Sequence, residues 1–300
     1  MSTDKSQQLT WPIVEASIEN IEKVEGGFTA AHRGIIKLPD YGEIFVKVGV
    51  DDLTKEWAKK EINTYKILQS HNYPFIPRFL THNTDETGFA IEALMSSDGW
   101  DWSNNWDEPR LAKTLAAMDG LANMELATSD KDFLGIETFT QGDNGWQFFV
   151  DSEQSQKLLV NKLREKGHED LIEKLNFVTM HQQSLKFKLN KNSLVHNDVR
   201  ADNCAWNKEL NTVKLVDWNW AELGDRRIDV NALLVNAQVS GFDVTKDYYS
   251  RLDAPALNWL AGYWFQHAVT PIWSGGPDNI RDFQLQSGIT AFNIAYKLQS

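Results

Sequence analysis

The segment LVHNDVRADN at residues 194–203, followed by VKLVDWNW at residues 213–220, is the most informative part of this chain. The first segment places a His, an Asp and an Asn within eight residues. The second ends an alternating apolar run with Asp217, as a half-buried strand does where it leaves a sheet. The two segments therefore predict two polar clusters, each at the tip of a short strand.

The spacing of these polar residues suits one kind of chemistry. Phosphoryl transfer depends on positioned metal ions, a held donor and an oriented acceptor hydroxyl rather than on covalent help from the protein. Magnesium on a triphosphate prefers oxygen ligands such as a carboxylate and an amide carbonyl, which Asp217 and Asn203 supply. Asp198 precedes Asn203 by five residues, so a tight loop can aim Asp198 at the acceptor and Asn203 at the metal. The pattern predicts Asp198 as the catalytic residue.

A second pair of charged residues lies upstream. Lys47 is in the predicted strand GEIFVKVGV at residues 42–50, and Glu61 follows fourteen residues later on a predicted helix. A lysine in this position can hold the donor phosphates while the glutamate fixes its side chain. Glu61 has a second interpretation, as an ordinary solvated residue of that helix.

The two segments resemble motifs of the aminoglycoside phosphotransferase family, the small-molecule branch of the protein-kinase-like fold. LVHNDVRADN is similar to the family's H-G-D-x-x-x-x-N catalytic loop. LVDWNWAELGDRRIDVNALL is similar to its D-W-x-x-A-x-x-G-D-x-x-x-D segment. The resemblance spans roughly residues 20–300 and implies an α+β, two-lobed fold. Residues 1–95 would form a small β-rich lobe that binds the nucleotide, and residues 96–300 a larger, mainly helical catalytic and acceptor-binding lobe.

The resemblance also implies cofactors and roles. ATP would be the donor, with magnesium held by Asn203 and Asp217, while Asp198 orients and deprotonates the acceptor hydroxyl. Lys47 would hold the α and β phosphates with Glu61 as its partner. The acceptor would be a small molecule, and no motif in the sequence specifies which one.

The remaining nucleotide contacts are predicted from less regular segments. The backbone of the hinge between the lobes, from Glu92 to Leu94, would meet the adenine edge. The nucleotide loop VEGGFTAAHRGII at residues 24–36 has no G-x-G-x-x-G, so Gly27 and Thr29 are the predicted phosphate contacts there. The catalytic loop itself carries Asn197 where the family usually has Gly, a change in the backbone of the loop rather than in its chemistry.

Two further residues have predicted structural roles. His196 is expected to hydrogen-bond a backbone carbonyl, and Asp229 to brace the catalytic loop from the start of a helix. Trp218 and Trp220 are expected to pack the core beneath the metal site. The tryptophans of the polar connector at residues 96–109 have two interpretations, as lining of the cleft rim or as cover for helix ends.

Two other functions compete with a small-molecule kinase. One is a catalytically silent, kinase-like nucleotide-binding protein, which the presence of Asp198, Asn203 and Asp217 disfavours. The other is a protein kinase, which needs an activation segment that binds a peptide. Only eleven residues separate Asp217 from Asp229, and there is no D-F-G or A-P-E, so a protein substrate is disfavoured.

The composition and the net charge limit the partners and the cellular location of the protein. The net charge of -12 disfavours nucleic acid as a partner, because phosphate contacts need clustered Lys and Arg. The single cysteine, Cys204, fits a reducing cytosol, and no apolar run reaches membrane-spanning length. A cytoplasmic protein is therefore predicted, and the oligomeric state is not indicated.

Residues 85–153 contain 15 acidic and 3 basic residues. This stretch has two interpretations, as a wall that attracts a cationic acceptor such as an amino sugar, aminoglycoside or amino alcohol, or as a solvated acidic face.

Overall fold

The computed structural model describes residues 9–24, 30–134, 145–272 and 278–299. An antiparallel sheet with one long helix forms a small lobe, and helices dominate the rest of the described chain, which confirms the predicted α+β, two-lobed architecture. The strands are β1 Glu22–Lys23, β2 His32–Leu38, β3 Gly42–Val48, β4 Phe79–His82, β5 Gly88–Glu92, β6 Trp100–Asp101, β7 Ser193–Val195, β8 Cys204–Asn207, β9 Thr212–Leu215 and β10 Glu222–Gly224. The helices are α1 Trp11–Glu15, α2 Asp52–Ser70, α3 Glu108–Ala122, α4 Thr128–Leu134, α5 Trp146–Val150, α6 Glu153–Glu165, α7 Glu169–Lys174, α8 Phe177–Leu185, α9 Arg226–Val239, α10 Val244–Asp247, α11 Ala254–Val269 and α12 Ile280–Gln299.

The sheet of the small lobe has the strand order β1-β2-β3-β5-β4. Strand β3 lies between β2 and β5, and its residues Ile44 and Val46 are buried in the core of this lobe. Strand β3 ends at Val48, two residues before the end of the predicted strand at residues 42–50. The apolar run GFAIEALM at residues 88–95 also predicts a strand, and this prediction was wrong beyond Glu92, where β5 ends and the chain leaves the sheet.

Helix α2 presents Glu61 to the interior of the protein. Asp51 caps the helix, since its side chain accepts a hydrogen bond from the backbone N–H of Thr54 in a capping box, and Asp is among the residues preferred at this position. Ile62, Tyr65 and other apolar residues at helical spacing bury one face of the helix. Glu61 is on that face and is only 1% exposed, which excludes the interpretation as a solvated residue.

The connector at residues 96–109 contains a strand that the sequence did not predict. Strand β6 pairs with β8, with Trp100 opposite Asn207 and Asp101 opposite Trp206. The partner is more than a hundred residues away along the chain, so local polarity favoured a turn here. The pairing places the connector directly beside the strand that follows Asn203.

The larger lobe buries most of the core of the protein. One cluster of buried apolar residues runs from α2 through α3 to α9, α11 and α12. The stretch from Leu158 to Val178 favours two helices by its sequence, whereas the structure has α6, α7 and the start of α8 there. Gly167 has a φ of +78°, and this left-handed residue ends the turn after α6. Among the described residues, no helix combines the length and apolarity needed to cross a membrane.

Candidate active site

The two polar loops predicted from the sequence lie side by side. Strand β7, which leads into the first loop, pairs with β10, which follows the second, and β8 pairs with β9. Between the strands, the backbone N–H of Val216 donates to the carbonyl of Asn203 at 3.0 Å. This arrangement brings Asp198, Asn203 and Asp217 to one site, although Asp217 is nineteen residues from Asp198 in the sequence.

The Asp198 carboxylate is held by two side chains of its own loop. Asn203 Nδ2 donates to Asp198 Oδ2 at 2.9 Å and to its backbone carbonyl at 2.9 Å. Arg200 Nη1 donates to Asp198 Oδ1 at 2.8 Å. Burial raises the pKa of Asp198 to about 7, although Arg200 opposes this shift. A carboxylate with a raised pKa and a fixed orientation has the properties of a general base.

Asn203 and Asp217 fit a magnesium ion that also binds a nucleotide. The amide nitrogen of Asn203 is used by Asp198, so its carbonyl oxygen is oriented elsewhere and is available as a ligand. Asp217 Oδ1 accepts a hydrogen bond from Lys47 at 2.7 Å. Burial opposes the ionisation of Asp217, but the charge and hydrogen bond of Lys47 hold its pKa below the ordinary range. No group of three His, Cys, Asp or Glu suited to a metal occurs among the described residues, so water and phosphate oxygens would complete the coordination.

Lys47 links the small lobe to the predicted metal ligand Asp217. It is buried on β3, where its Nζ donates to Glu61 of α2 and to Asp217. Burial lowers the pKa of a lysine, but the charges of Asp217 and Glu61 outweigh burial and raise the pKa of Lys47. The ammonium is therefore charged, and the structure forms the predicted contact between Lys47 and Glu61.

Hydrogen bonds with Asp229 and His196 hold the predicted catalytic loop in place. Asp229, in the first turn of α9, accepts the backbone N–H of His196 at 3.1 Å and that of Asn197 at 2.8 Å. His196 Nδ1 accepts the backbone N–H of Asp198, which leaves Nε2 to donate to the Val216 carbonyl at 3.0 Å. Burial lowers the pKa of His196 to about 4, so its ring is neutral near pH 7. Both residues have the structural roles that the sequence predicted.

Asn197 and Asp217 both have left-handed backbone conformations. Their φ angles are +62° and +67°, a region that glycine adopts without strain and that Asn and Asp tolerate best among other residues. Asn197 also donates from Nδ2 to Glu222 Oε1 at 2.9 Å. This conformation suits an Asn at position 197, where the family that the sequence resembles usually has Gly.

The hinge backbone is partly engaged within the protein. The N–H of Glu92 donates to the Arg78 carbonyl at 2.9 Å, and the Leu94 carbonyl accepts from the indole of Trp102 at 2.9 Å. A nucleotide at the hinge would therefore use other groups of this segment, such as the N–H of Leu94. The two predicted phosphate-loop residues, Gly27 and Thr29, lie outside the described residues.

The connector tryptophans do not act as one group. Trp100 and Trp106 are buried, and Trp106 Nε1 donates to Asn236 Oδ1 at 3.0 Å. Trp102 is half-buried beneath the hinge, where it bonds Leu94.

The two tryptophans that follow Asp217 differ in burial. Trp218 is fully buried, as predicted. Trp220 is half-buried and faces Trp57 of α2, with ring centroids 6.1 Å apart, so the prediction that both pack the core was only half right.

Arg110 is a buried cation that the sequence analysis missed. It is 1% exposed and donates to the backbone carbonyls of Ser103 and Asn105 in the connector, each at 2.7 Å. Its other amino group donates to the carbonyls of Ala201 and Cys204, on either side of Asn203. Arg110 thereby attaches the connector to the catalytic loop, and a lone Arg in a helix pattern carries no signal of that role.

Arg200 and Asp202 are the other site residues that sequence reasoning missed. Arg200 bonds Asp198 through Nη1 and Asp202 through both Nε and Nη2, the latter two at 3.0 Å. Its only sequence signal is a basic residue two positions after the predicted catalytic Asp.

Two acidic residues of the connector have local structural contacts. Asp107 caps α3, and the Asp101 carboxylate accepts a hydrogen bond from the backbone N–H of Ser103.

Comparisons with known proteins agree with this architecture. No protein-family model matches the sequence, and no curated protein matches it either. Among solved structures, a choline kinase from Streptococcus pneumoniae is similar, with a TM-score of 0.55 and 13% identity over 94% of this chain and 98% of that chain. A spectinomycin phosphotransferase solved with ADP and spectinomycin has a TM-score of 0.56 and 13% identity, over 93% of this chain and 92% of that chain.

An ethanolamine kinase from Plasmodium vivax has a TM-score of 0.53 and 13% identity, over 92% of this chain and 82% of that chain. Likeness at this identity establishes the fold and leaves the substrate open. The chain has the two-lobed, protein-kinase-like fold shared by the aminoglycoside phosphotransferases and the choline and ethanolamine kinases.

Proposed function

We propose that this protein is an ATP-dependent phosphotransferase that moves the terminal phosphate of the nucleotide to a hydroxyl of a small molecule. The observation that carries the proposal is the convergence of two hydrogen-bonded groups. Lys47 bonds Glu61 and Asp217, and Asn203 bonds Asp198. The backbone N–H of Val216, next to Asp217, joins the two groups by donating to the Asn203 carbonyl. Each side chain has the chemistry its role requires. The similar solved structures are small-molecule kinases, which favours this function over others of the fold.

The geometry supports a separate role for each of these residues. Asp198 would accept the proton of the acceptor hydroxyl while Asn203 keeps its carboxylate aligned. Asn203 Oδ1 and the Asp217 carboxylate would hold magnesium, which neutralises charge on the phosphates when it is bound. Lys47 would turn toward the α and β phosphates, with Glu61 as its anchor on α2. We assign the nucleotide to residues 1–95, with Gly27 and Thr29 near the phosphates and the hinge backbone from Glu92 to Leu94 near adenine, and the acceptor to residues 96–300.

A screen of hydroxyl-bearing metabolites and antibiotics tests the function. We expect magnesium–ATP to raise the melting temperature, and a true acceptor to accelerate ADP release from ATP and to gain a phosphate detectable by mass spectrometry. Ligand at about 100 times its dissociation constant stabilises the native state by about 2.7 kcal/mol. Nucleotide binding without ADP release for any acceptor would indicate a catalytically silent protein. Phosphorylation of generic peptides in place of small molecules would indicate a protein kinase.

We further propose that the acceptor is cationic. Asp98, Asp101, Asp107 and Glu108 are exposed in the connector and at the start of α3. The connector is attached to the catalytic loop, because Asn236 Oδ1 accepts from both Trp106 Nε1 and the backbone N–H of Ala201. This attachment supports the proposal that the acceptor approaches past these carboxylates, where negative potential would concentrate a cation.

The salt dependence of the acceptor Michaelis constant tests the charge proposal. We expect this constant to rise between low salt and about 0.1 M ionic strength, where the screening length falls to about 10 Å, and the constant for ATP to change less. Changing the four acids to their amides should have the same effect. Glu125→Gln with Asp132→Asn is the control, since these exposed acids lie beyond the far end of α3, a helix about 22 Å long. A neutral or anionic acceptor, or one insensitive to salt, would refute the proposal.

A further inference from the structure

Arg200 has an unusual position beside the proposed base. Its guanidinium bonds Asp198 on one edge and Asp202 on the other, and its side chain is 15% exposed. Asp202 is 42% exposed and lies at the outer edge of the pair. Arg200 therefore lies between Asp198, inside the site, and Asp202, at the solvent. Its positive charge is in contact with Asp198.

The charge of Arg200 also acts on the proposed metal ligand. Burial opposes a charged guanidinium, but the carboxylates of Asp198, Asp202 and Asp217 together raise the pKa of Arg200. In return, Arg200 contributes to the lowered pKa of Asp217, after Lys47. The guanidinium thus lies within electrostatic reach of both Asp198 and Asp217.

This position borders the path of the transferred group. In-line transfer moves the terminal phosphoryl group from a donor held near Asn203 and Asp217 to an acceptor oxygen held by Asp198. The phosphoryl group must pass between these side chains, beside Arg200. A guanidinium can donate two parallel N–H bonds to phosphoryl oxygens, whereas Arg200 makes a single hydrogen bond to Asp198. Phosphate is therefore the better partner for this guanidinium.

The contact between Arg200 and Asp198 works against the proton transfer that the proposed reaction needs. Both carboxylate oxygens of Asp198 accept hydrogen bonds from its own loop, one from Asn203 and one from Arg200. The acceptor hydroxyl must donate its proton to one of these oxygens. Oδ1 has a second lone pair for the hydroxyl, but a cation bonded to this oxygen makes it a weaker proton acceptor. A shift of Arg200 away from Oδ1 would therefore favour the proton transfer, and an arriving phosphate would attract the guanidinium.

We propose that Arg200 exchanges Asp198 for the terminal phosphoryl group when magnesium–ATP binds, and that it is a catalytic residue of the transfer. This inference rests on the proposed phosphotransferase function. In the reaction the acceptor oxygen forms a bond to the γ phosphorus, and the bond from that phosphorus to the β–γ bridging oxygen breaks. ADP leaves with the electron pair, the hydroxyl proton passes to Asp198, and Arg200 holds the equatorial oxygens of the transferred group.

Paired nucleotides test the exchange without a known acceptor. Binding of magnesium–ADP and of magnesium–AMP-PNP, a non-hydrolysable ATP analogue, is measured by calorimetry for the wild type, Arg200→Met and Arg200→Lys. We expect Arg200→Met to weaken AMP-PNP binding about tenfold or more, the value of a charge-assisted hydrogen bond, and to leave ADP binding nearly unchanged. Arg200→Lys should recover part of the loss. Arg251→Met is the control, because that arginine bonds Asp119 at the surface.

The possible results separate the two proposals. Equal loss of ADP and AMP-PNP affinity in Arg200→Met, at an unchanged melting temperature, would mean that Arg200 only shapes the loop. Unchanged affinity for both nucleotides would refute the exchange. Absence of binding by the wild type would refute the proposed function, and the inference with it. A further measurement is the slow transfer of phosphate from ATP to water by the wild type in the absence of an acceptor. We expect the rate of this hydrolysis to fall about a thousandfold in Arg200→Met, as for other arginines that stabilise this transfer.

Discussion

Changing Asp198 to alanine is expected to lower phosphate transfer about a thousandfold, the usual contribution of a general base. Asp198 is the carboxylate aligned by Asn203 and Arg200, and neither Lys47 nor Asp217 bonds it. Its removal therefore takes away the proton acceptor and leaves the proposed nucleotide contacts in place. In free-energy terms, the expected loss of transition-state stabilisation is about 4 kcal/mol.

Two measurements separate loss of chemistry from loss of structure in this variant. Steady-state turnover gives the rate, and calorimetric binding of magnesium–ADP gives the nucleotide affinity, which should stay within about threefold of the wild type. Asp247→Ala is a suitable control, because Asp247 is exposed on α10 and makes no hydrogen bond or ion pair among the described residues. Near-normal turnover in Asp198→Ala would show that the catalytic loop has been assigned wrongly.

Changing Asp217 to asparagine is expected to abolish tight binding of the magnesium–nucleotide complex. The substitution removes the only carboxylate among the two proposed metal ligands, and a bound metal supplies several kcal/mol of charge stabilisation to phosphates. At about 1.4 kcal/mol for each tenfold, the affinity should fall about a hundredfold or more. Asparagine is preferable to alanine here, because Asp217 has a left-handed backbone that asparagine tolerates.

Metal-free nucleotide provides an internal control for Asp217→Asn. In EDTA the variant should bind ATP at least as well as the wild type, because one carboxylate that repels the phosphates has gone. Its melting temperature without nucleotide reports the cost of losing the ion pair with Lys47. A variant with normal affinity for magnesium–ATP would show that Asp217 is not a metal ligand.

The identities of the central residues could be predicted from the sequence because their spacing is short and local. Asp198 and Asn203 lie five residues apart in one loop, and Asp217 ends a run of alternating apolar residues. Lys47 on a strand and Glu61 on the next helix could be predicted as a pair for the same reason. The order of strands before residue 96 and helices after it also follows from local periodicity.

The contacts that complete the site were decided by tertiary structure. Strand β6 pairs with β8 across more than a hundred residues, and Arg110 reaches carbonyls 91 and 94 residues away. Trp102 occupies the Leu94 carbonyl at the hinge, which the sequence predicted only as a nucleotide contact.

The orientation of Arg200 toward Asp198, with Asp202 on its other edge, depends on a loop conformation that β7, β8 and Asp229 impose together. Periodicity and residue type describe one stretch of chain at a time. A side chain's partner depends instead on which distant backbone the packed core brings beside it.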